Sequence, residues 1–561
     1  MRTRVVDYLV DAVSALGVRH IFGVDGANIE DLYDAIFDAP HDLTGVVAKH
    51  EFSAATMADG YARSTGGIGV VVATSGGGAM NLVAGLAESF ASRVPVLALV
   101  GQPPTALEGN GAFQDSSGRA GTIDAVRMFD AITRYCARVD TGADLPDVVT
   151  MAVGAARGGG PAVLLLPKDV QQSSIGAAPP FRLPAKEYRR DETGLIRLRA
   201  ALTIARSTGK IVIIAGDQVA RDDARDALAR LAAGLDATVG VAPDAKDVYD
   251  NTDPSFCGVA GSMGHPELTA AIRSAALCLV IGTPMPITAR TGLDELLAGT
   301  TVASIGVTLP YLPTIHVTST DLARTLAQLA DEFTTTATIS ERREPAPLLP
   351  LHVPEASGPG LRYRHLIETI EAGLPEGTDV YADAGNTGAA VVHHLRVPRG
   401  GRFVVALGMG GMGYAFGAGI GSAFARRHGP DGTRRTVVVA GDGAFYMHGM
   451  EIHTAVEHAL PITFIVLNNN AHAMCVTREQ LYYRNRYSFN RFQPAHLGDG
   501  VAAMFPDLPA FSVRARDELG TALRRCMEIQ GPSFLSIEVD PDEVPPFLPF
   551  LTTIEQSRST K

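Results

Sequence analysis

Apolar positions along the chain alternate between a helical and a strand-like spacing. An apolar face at helical spacing runs from Val6 to Leu16 and stops at Gly17. Strand-sized apolar runs follow at 20–24, 43–48, 68–74, 94–100 and 162–166, with helical patterns between most of them. Because strands that alternate with helices form parallel sheets covered on both faces, this region predicts an α/β fold.

Two proline-rich stretches predict where the chain divides. Residues 177–186 (AAPPFRLPAK) and 344–359 (EPAPLLPLHVPEASGP) have the composition of extended linkers. They separate segments 1–175, 190–340 and 360–548. The middle segment repeats the alternation, with strands predicted at 210–214 and 277–281 and a helix at 220–231, and the polar tail from Ile554 is expected to fray. The predicted fold class is α/β, with three doubly wound parallel-sheet domains.

The first and third segments share a weak internal repeat. A strand that begins at Val70 leads through a glycine-rich turn and a helix to a second strand at Pro95. A strand that begins at Val437 leads in the same way to Pro461, at almost the same spacing. Two similar α/β units flanking a third is one interpretation, and chance similarity between two βαβ units is the other.

Composition and charge narrow the class of protein. With 46% hydrophobic and 19% charged residues the chain is globular, and its formal charge of −12 argues against nucleic-acid or anionic-membrane partners. No apolar run approaches the roughly 18 residues of a membrane helix, and no secretory signal is evident at the N-terminus. The five scattered cysteines form no Cys-x-x-Cys pair. These features predict a cytoplasmic protein without a zinc site.

The sharpest chemical signal lies at the ends of two successive predicted strands. Gly441-Asp442-Gly443 follows one strand, and Asn468-Asn469 ends the next. The carboxyl ends of parallel strands bind ligands, and carboxylate and amide oxygens suit a Mg²⁺ ion that also holds a diphosphate. The glycines would let backbone N–H groups approach the phosphates. A plain turn with Asp442 as a helix cap is the alternative.

A second glycine-rich motif suggests a different cofactor. Residues 408–413 (GMGGMG) fit the G-x-G-x-x-G pattern between a predicted strand at 403–407 and a predicted helix at 415–426. A dinucleotide fold would carry an acid about 20 residues past the motif. Here the next strand-end acid is Asp442, which lies well beyond that distance from Gly413. The dinucleotide interpretation is therefore the weaker one.

The segment 441–469 resembles the diphosphate-and-metal motif of thiamine-diphosphate enzymes. Nearly the whole chain is similar to the acetolactate synthase and pyruvate oxidase branch of that family. The shared motifs are Lys49-His50-Glu51, Ala73-Thr74-Ser75-Gly76, Asn81-Leu82-Val83, Gly101-Gln102, Ala112-Phe113-Gln114 and Pro167-Lys168-Asp169-Val170-Gln171. The resemblance implies pyrimidine-binding, central and diphosphate-binding domains in that order.

The resemblance also implies roles for individual residues. Asp442, Asn469 and the main-chain oxygen of Ala471 would hold Mg²⁺, and Glu51 would hydrogen-bond the pyrimidine ring and so activate the cofactor. Met412 would be the bulky residue that folds thiamine diphosphate. The other cofactor contacts that it implies are Gly26, Thr74, Asn81, Asn386, Thr387, Gly410, Gly441, Gly443, Ala444, His472 and Met474.

The substrate side of the implied site is less distinctive. The resemblance places Phe113 and Gln114 against the reacting substrate and Lys168 near its channel, although an ordinary loop and a solvated lysine are equal interpretations. His472 is a candidate for the donor pocket, and a structural histidine is the commoner case. The aromatic and arginine residues at 482–487 favour a lid over the cofactor.

Departures from the family pattern affect specificity. Acetolactate synthases carry a Gln-Trp pair where this chain has Thr477-Arg478, and the chain has no tryptophan. Gly77 replaces the usual proline of the Ser-Gly-Pro-Gly turn. The flavin-contacting Arg-Phe-Asp-Asp-Arg run is replaced by 283–286 (TPMP), which makes FAD doubtful.

The function that the resemblance implies is decarboxylation of a 2-oxo acid, with pyruvate the first candidate. The acyl unit would pass to a carbonyl acceptor in a homodimer or dimer of dimers whose active site lies at the interface. Alternatives are a 2-oxo acid decarboxylase without ligation, a non-catalytic cofactor-binding subunit, and a flavin or NAD oxidoreductase.

Overall fold

The computed structural model describes residues 3–39, 42–176, 179–334, 347–427 and 434–559. Of the two predicted linkers, residues 177–178 and 344–346 lie outside this description. The remaining parts, 179–186 and 347–359, contain neither helix nor strand.

The N-terminal domain is one six-stranded parallel sheet in the order β2-β1-β3-β4-β6-β5. Its central strand β3 is buried along its whole length, as expected for a sheet with helices on both faces. The elements are α1 (Val5–Ala15), β1 (His20–Val24), α2 (Glu30–Asp38), β2 (Thr44–Val47), α3 (Glu51–Thr65), β3 (Gly69–Ala73), α4 (Gly77–Asn81), α5 (Val83–Ala91), β4 (Val96–Gln102), α6 (Ala125–Asp130), β5 (Tyr135–Arg138), α7 (Leu145–Arg157), β6 (Pro161–Pro167) and α8 (Lys168–Gln172).

The central domain has a parallel sheet of a different order, β9-β8-β7-β10-β11-β12. Its elements are α9 (Glu192–Thr208), β7 (Lys210–Ala215), α10 (Gln218–Arg221), α11 (Arg225–Leu235), β8 (Thr238–Val241), β9 (Phe256–Val259), α12 (Pro266–Arg273), β10 (Ala275–Ile281), α13 (Ile287–Arg290), α14 (Asp294–Ala298), β11 (Val302–Gly306), β12 (Ile315–Thr318) and α15 (Leu322–Phe333). The single helix predicted at 220–231 is wrong, because the chain breaks between α10 and α11. Asp223 has a φ of 50°, and the Asp222 carboxylate accepts the backbone N–H of Leu322 at the start of α15.

The C-terminal domain contains the third parallel sheet, in the order β14-β13-β15-β16-β18-β17. Its elements are α16 (Tyr363–Gly373), β13 (Asp379–Ala382), α17 (Asn386–His394), β14 (Phe403–Val405), α18 (Tyr414–Arg426), β15 (Thr436–Gly441), α19 (Asp442–His448), α20 (Ile452–Glu457), β16 (Ile462–Asn468), α21 (Ala473–Tyr483), α22 (Leu497–Met504), β17 (Ala510–Val513), α23 (Arg516–Glu528), β18 (Ser533–Glu538) and α24 (Leu548–Ser559). The tail predicted to fray from Ile554 is helical as far as Ser559. Phe550 and Leu551 are buried and anchor this helix.

The two outer sheets have the same topology. When the strands of each domain are counted from its first strand, both follow the order 2-1-3-4-6-5, and the strands of the predicted repeat are β3 with β15 and β4 with β16. The central sheet follows 3-2-1-4-5-6 when it is counted in the same way. The prediction of an α/β fold with three parallel-sheet domains is therefore confirmed, and the repeat reflects a shared strand order.

The outer domains contact each other through α3 and α18. Their backbones approach so closely that a Cβ on Gly60 or Gly421 would overlap a carbonyl oxygen of the other helix, that of Ala418 or Met57. A Cβ on Gly417 would overlap the Thr56 side chain. Only glycine permits this approach, because the space between the helices is filled by main chain.

Helices long and apolar enough to cross a bilayer are absent from the described ranges.

Candidate active site

A first cluster of predicted residues lies at the carboxyl end of the N-terminal sheet. Glu51 is the first residue of α3, and His50 caps that helix by accepting the Phe52 N–H through Nδ1 at 3.1 Å. The Glu51 side chain is 8% exposed, and its Oε2 accepts a hydrogen bond from Asn81 Nδ2 at 2.9 Å. The carboxyl group is therefore held in a fixed and largely buried position.

Three further predicted residues lie at this glutamate or at the turn beside it. A Cβ on Gly78 would lie 3.0 Å from both Glu51 Oε1 and the Thr74 methyl group, so these two side chains flank one turn. A Cβ on Gly26 would lie 2.8 Å from Thr74 Cβ. Gln114, whose φ of 60° is in the left-handed region, lies beside Gly76. The structure thus brings Gly26, Glu51, Thr74, Asn81 and Gln114 together.

A second cluster forms at the carboxyl ends of β15 and β16 in the C-terminal domain. Asp442 is 1% exposed, and its two oxygens accept backbone N–H groups from Gly443 at 2.9 Å and from Ala471 at 3.2 Å. The Ala471 N–H also donates to Asn469 Oδ1 at 3.0 Å. One buried carboxylate and one amide oxygen therefore meet in a tight loop. This is the place that the sequence predicted, at the carboxyl ends of two neighbouring parallel strands.

The chemistry of this donor set suits a hard cation. Burial raises the pKa of the Asp442 carboxyl to about 7, against the opposing effect of its backbone hydrogen bonds, so a positive charge at this place would favour the ionised form. Within the described residues no three His, Cys, Asp or Glu side chains cluster as metal ligands. A single carboxylate with amide and carbonyl oxygens is the pattern of a Mg²⁺ site that is completed by phosphate oxygens and water.

Asn386 brings a buried amide close to this loop. It is the first residue of α17 and 4% exposed, and neither Oδ1 nor Nδ2 of its amide makes a hydrogen bond of ordinary geometry among the described residues, while the buried Tyr363 hydroxyl is its polar neighbour. Its neighbour Thr387 lies next to β15, since a Cβ on Gly441 would be 3.4 Å from Thr387 Oγ1. Buried amides without such hydrogen bonds are rare, so this one fits a polar group such as a diphosphate.

Met412 and His472 lie directly over the Asp442 turn. A Cβ on Gly443 would meet the His472 ring at 2.5 Å and the Met412 methyl group at 3.2 Å. Ala444 is buried in α19, and Met474 is half-buried in the first turn of α21. Gly410 precedes Met412 with a φ of 67°. The predicted C-terminal residues therefore surround one loop.

The position of the GMGGMG segment argues against the dinucleotide interpretation. It follows β14, which is an edge strand of its sheet. A dinucleotide fingerprint follows the first strand beside the switch point of a sheet. Of the sheets in the described residues, only the central one has the corresponding strand order.

Protein groups pack against one another at the switch point of the central sheet, between β7 and β10. Gln218 is buried there, accepting the Val307 N–H at 2.8 Å and donating to Ser319 O at 3.1 Å. A Cβ on Gly216 would overlap the Thr283 side chain. The doubt about FAD stays a prediction from the sequence.

The weaker predictions have mixed outcomes. Lys168 Nζ donates to Ala27 O at 2.5 Å and pairs with Glu30, so it holds the loop next to Gly26. Phe113 is 80% exposed, so the single chain does not enclose it in a substrate pocket. His393 is buried between the central and C-terminal domains, where its Nδ1 is bonded to Met263 O at 3.0 Å.

The aromatic segment after α21 returns to the loop at 469–472, which follows β16. The His472 N–H donates to Asn490 O at 2.9 Å, and the Phe492 N–H donates to Asn470 O at 2.7 Å. The Phe492 ring lies 4.8 Å from the His472 ring. Residues 490–492 therefore cover the outer side of the candidate metal site, while Tyr482 and Phe489 are exposed.

Comparison with known proteins identifies the family. Three family models match the chain: "Thiamine pyrophosphate enzyme, N-terminal TPP binding domain" at residues 3–121, the central domain at 198–309, and the C-terminal TPP binding domain at 383–537. The chain belongs to the thiamine pyrophosphate enzymes. The two clusters lie within the N-terminal and C-terminal matches.

Full-length relatives place the chain in the acetolactate synthase branch, which confirms the resemblance. A probable acetolactate synthase large subunit of Methanocaldococcus jannaschii is 28% identical, over 96% of this chain and 93% of its own. The acetolactate synthase isozyme 2 large subunit of Escherichia coli K12 is 26% identical, over 95% of each chain.

Solved structures share the fold. Benzoylformate decarboxylase from Polynucleobacter necessarius superposes with a TM-score of 0.82 at 19% identity and covers 97% of this chain and 100% of its own. A putative thiamin diphosphate-dependent enzyme from Mycobacterium smegmatis gives 0.79 at 21% identity, covering 96% and 100%. At these identities the likeness concerns the fold alone.

Proposed function

We propose that the protein is a thiamine-diphosphate- and Mg²⁺-dependent enzyme that decarboxylates a 2-oxo acid, with pyruvate the first candidate, and transfers the acyl unit to a carbonyl acceptor. Asp442, Asn469 and the main-chain oxygen of Ala471 would hold the metal ion. Asn386, Thr387 and the backbone at Gly443 and Ala444 would hold the diphosphate. The observation that carries the cofactor part of this proposal is the buried Asp442 carboxylate, held by the Gly443 and Ala471 N–H groups at the ends of two adjacent strands, with the buried Asn386 amide making no hydrogen bond of ordinary geometry among the described residues.

The chain's own residues would prepare the cofactor for reaction. When bound, thiamine diphosphate supplies a carbon nucleophile and an electron sink for decarboxylation. Glu51 would share a proton with the pyrimidine ring nitrogen, and Asn81 fixes the orientation of its carboxyl group. Gly26 and Thr74 would line the same ring, Gly410 and Gly441 would approach the cofactor through their backbone, and Met412 would support its bent conformation. His472, Met474, Phe113 and Gln114 would bound the substrate space.

A partner subunit would complete the site in a homodimer or dimer of dimers. Glu51 and Asp442 belong to different domains, and apolar side chains near the two clusters are exposed in the single chain. These include Phe113, Met409 and Tyr446, at 80%, 63% and 48%. Their burial against a second copy would supply an apolar interface.

Arg478 is the residue that would distinguish this enzyme from an ordinary acetolactate synthase. It lies exposed on α21, the helix that follows the metal loop, and its Nη1 lies 4.0 Å from the Cys475 sulfur. A cation at this place would attract an anionic acceptor. We expect Arg478→Ala to raise the KM for such an acceptor and to leave decarboxylation unchanged, measured by steady-state kinetics. An unchanged acceptor preference would exclude this role.

A 2-oxo acid decarboxylase without ligation is the second candidate. It is favoured by the absence of tryptophan, since Thr477-Arg478 stands where acetolactate synthases have their Gln-Trp acceptor pair. Incubation with pyruvate and a panel of other 2-oxo acids, followed by mass spectrometry, separates the two candidates. Ligated products support the carboligase, whereas CO₂ with the free aldehyde supports simple decarboxylation.

The cofactor assignment has its own test. Thiamine diphosphate with Mg²⁺ at 100 times Kd should stabilise the folded protein by about 2.7 kcal/mol and raise its Tm. Glu51→Gln should still bind the cofactor but slow the exchange of its C2 proton by about 10²-fold or more, measured by NMR in deuterated water. An unmoved Tm for the wild type would refute the cofactor assignment.

A further inference from the structure

Two buried glutamates join the outer domains in a reciprocal arrangement. Glu88 of the N-terminal domain accepts backbone N–H groups from the C-terminal domain, and Glu451 of the C-terminal domain accepts a backbone N–H from the N-terminal domain. Both side chains are 2% exposed. Neither residue belongs to the clusters described above. Glu451 lies within the motif segment 441–469, but the sequence assigned no role to either glutamate.

Glu88 holds the backbone that leads to Met412. Its Oε1 accepts the Gly408 N–H at 3.1 Å, and its Oε2 accepts the N–H groups of Met409 at 2.6 Å and Gly410 at 3.1 Å. Ser92 Oγ donates to Oε1 at 2.8 Å. Four donors therefore bind one carboxylate. Because hydrogen bonds to a charged group are stronger than those between neutral groups, they fix both the side chain and the bound loop.

The loop packs directly against the N-terminal domain. A Cβ on Gly408 would lie 2.7 Å from Ala91 Cβ and 2.9 Å from Glu88 Oε1, so the main chain rests directly on α5. Gly410 and Gly413 both have positive φ values, 67° and 87°. The backbone that carries Met412 therefore runs from a fixed contact with the other domain.

Glu451 holds the backbone that leads to Glu51. It ends the short 3-10 helix Gly449–Glu451, and its Oε1 and Oε2 accept the Lys49 N–H at 3.1 and 3.2 Å. Thr454 Oγ1 donates to Oε1 at 2.6 Å. Lys49 comes just before Glu51 in the chain, so this contact sets where α3 and its first carboxylate begin.

We infer that Glu88 and Glu451 are positioning residues, each of which fixes the cofactor-binding loop of the opposite domain. Glu88 would place Gly410 and Met412, and Glu451 would place Glu51. This inference rests on the proposed thiamine-diphosphate function. It predicts that the loss of either carboxylate displaces a loop and so affects cofactor activation beyond any loss of stability.

The test compares Glu88→Gln and Glu451→Gln with Glu108→Gln in the full-length protein. Glu108 is a matched control, because it is 4% exposed and its bonds to Arg138 stay within the N-terminal domain. Each variant is assayed for Tm, for the Kd of thiamine diphosphate with Mg²⁺ by calorimetry, and for the C2 proton exchange rate at saturating cofactor. The two positioning variants should raise Kd by about 10- to 100-fold and slow the exchange of bound cofactor by at least about tenfold.

The control should lower Tm without changing either cofactor measurement. If the positioning variants also lose only Tm, with Kd and exchange at wild-type values, the inference is wrong. Should Glu88→Gln not fold, Glu88→Asp keeps the charge but cannot reach all three loop N–H groups, and it should show the same defect to a smaller degree. A wild type that neither binds the cofactor nor exchanges its proton would instead refute the proposed function.

Discussion

The N-terminal and C-terminal domains have the same strand order but different residues in the turn after their third strand. In the N-terminal domain β3 leads into Thr74-Ser75-Gly76, and in the C-terminal domain β15 leads into Gly441-Asp442-Gly443. When the strands are aligned by the repeat, Ser75 takes the place of Asp442. The Ser75 hydroxyl accepts a hydrogen bond from Asn28 at 2.7 Å, whereas the Asp442 carboxylate accepts local backbone donors.

The comparison separates what topology decides from what single residues decide. Strand order brings loops to the same edge of both sheets, and this edge is where α/β proteins bind ligands. One turn offers a buried carboxylate that suits a cation, and the other offers neutral groups beside a glutamate from α3. The same architecture thus supports two binding tasks that differ through side chains.

The largest effect on cofactor binding is expected when the Gly441-Asp442-Gly443 turn loses its carboxylate. Asp442→Ala should abolish the Mg²⁺-dependent rise in Tm caused by thiamine diphosphate, because it removes the carboxylate of the proposed metal site. Ser75→Ala, the equivalent change in the other domain, should keep a Mg²⁺-dependent rise. Thermal unfolding with and without the metal ion measures both. Equal losses in the two variants would mean that the turns do not differ in function.

The next effect concerns the contact between the two domains. Gly60→Ala places a methyl group against the Ala418 carbonyl and should lower the free energy of unfolding by about 3 kcal/mol. Gly520→Ala is the matched control, since that glycine lies in α23 with open space around it. The control should raise stability by up to about 1 kcal/mol. Urea unfolding compares the two, and a tolerated Gly60→Ala would show that α3 and α18 separate easily.

The smallest effect is expected at the end of α17, where a buried lysine makes stability depend on pH. The equivalent helix of the N-terminal domain is α2. Lys246 of the central domain is buried and donates to Val391, Val392 and Leu395 carbonyls at the end of α17, whereas α2 has no basic residue in its last turn. Burial lowers the pKa of Lys246 to about 7 from its ordinary value of 10.5. Between these values the unfolded chain binds the extra proton, so this group makes stability rise with pH.

Lys246→Met should remove that dependence. Relative to wild type, the variant should lose about 2 kcal/mol more at pH 9 than at pH 7, measured by urea unfolding. The neighbouring histidines do not interfere, because burial lowers the pKa of His265 to about 2, that of His394 to about 3 and that of His393 to about 4, so all three stay neutral over this range. A difference that is the same at both pH values would contradict the assignment.

Much of the fold could be predicted because it depends on local patterns. Apolar runs such as 20–24 and 210–214 fall on β1 and β7 almost residue for residue, since a buried parallel strand has a continuous apolar sequence. The break at Asp223 was missed because its cause, the bond from Asp222 to the start of α15, joins distant parts of the chain. The helical tail was missed because its anchors, Phe550 and Leu551, precede the polar residues.

The candidate site was predicted to the extent that its residues stand in motifs. The glycine and asparagine motifs at 441–443 and 468–469 led to Asp442 and its neighbours without any structure. Glu88 and Glu451 could not be assigned in this way, because a glutamate in a short helix has the sequence appearance of a surface residue. Only the folded chain shows which backbone each carboxylate meets.

The close contact between α3 and α18, which depends on glycines, has a practical consequence for building chimeric enzymes. A domain taken from a relative brings its own helix to this contact. Any side chain larger than hydrogen at Gly60, Gly417 or Gly421 would overlap main-chain or buried side-chain atoms of the opposite helix. Recombination between homologues should therefore exchange both helices as one unit, even though one lies near the start of the chain and the other in its last third.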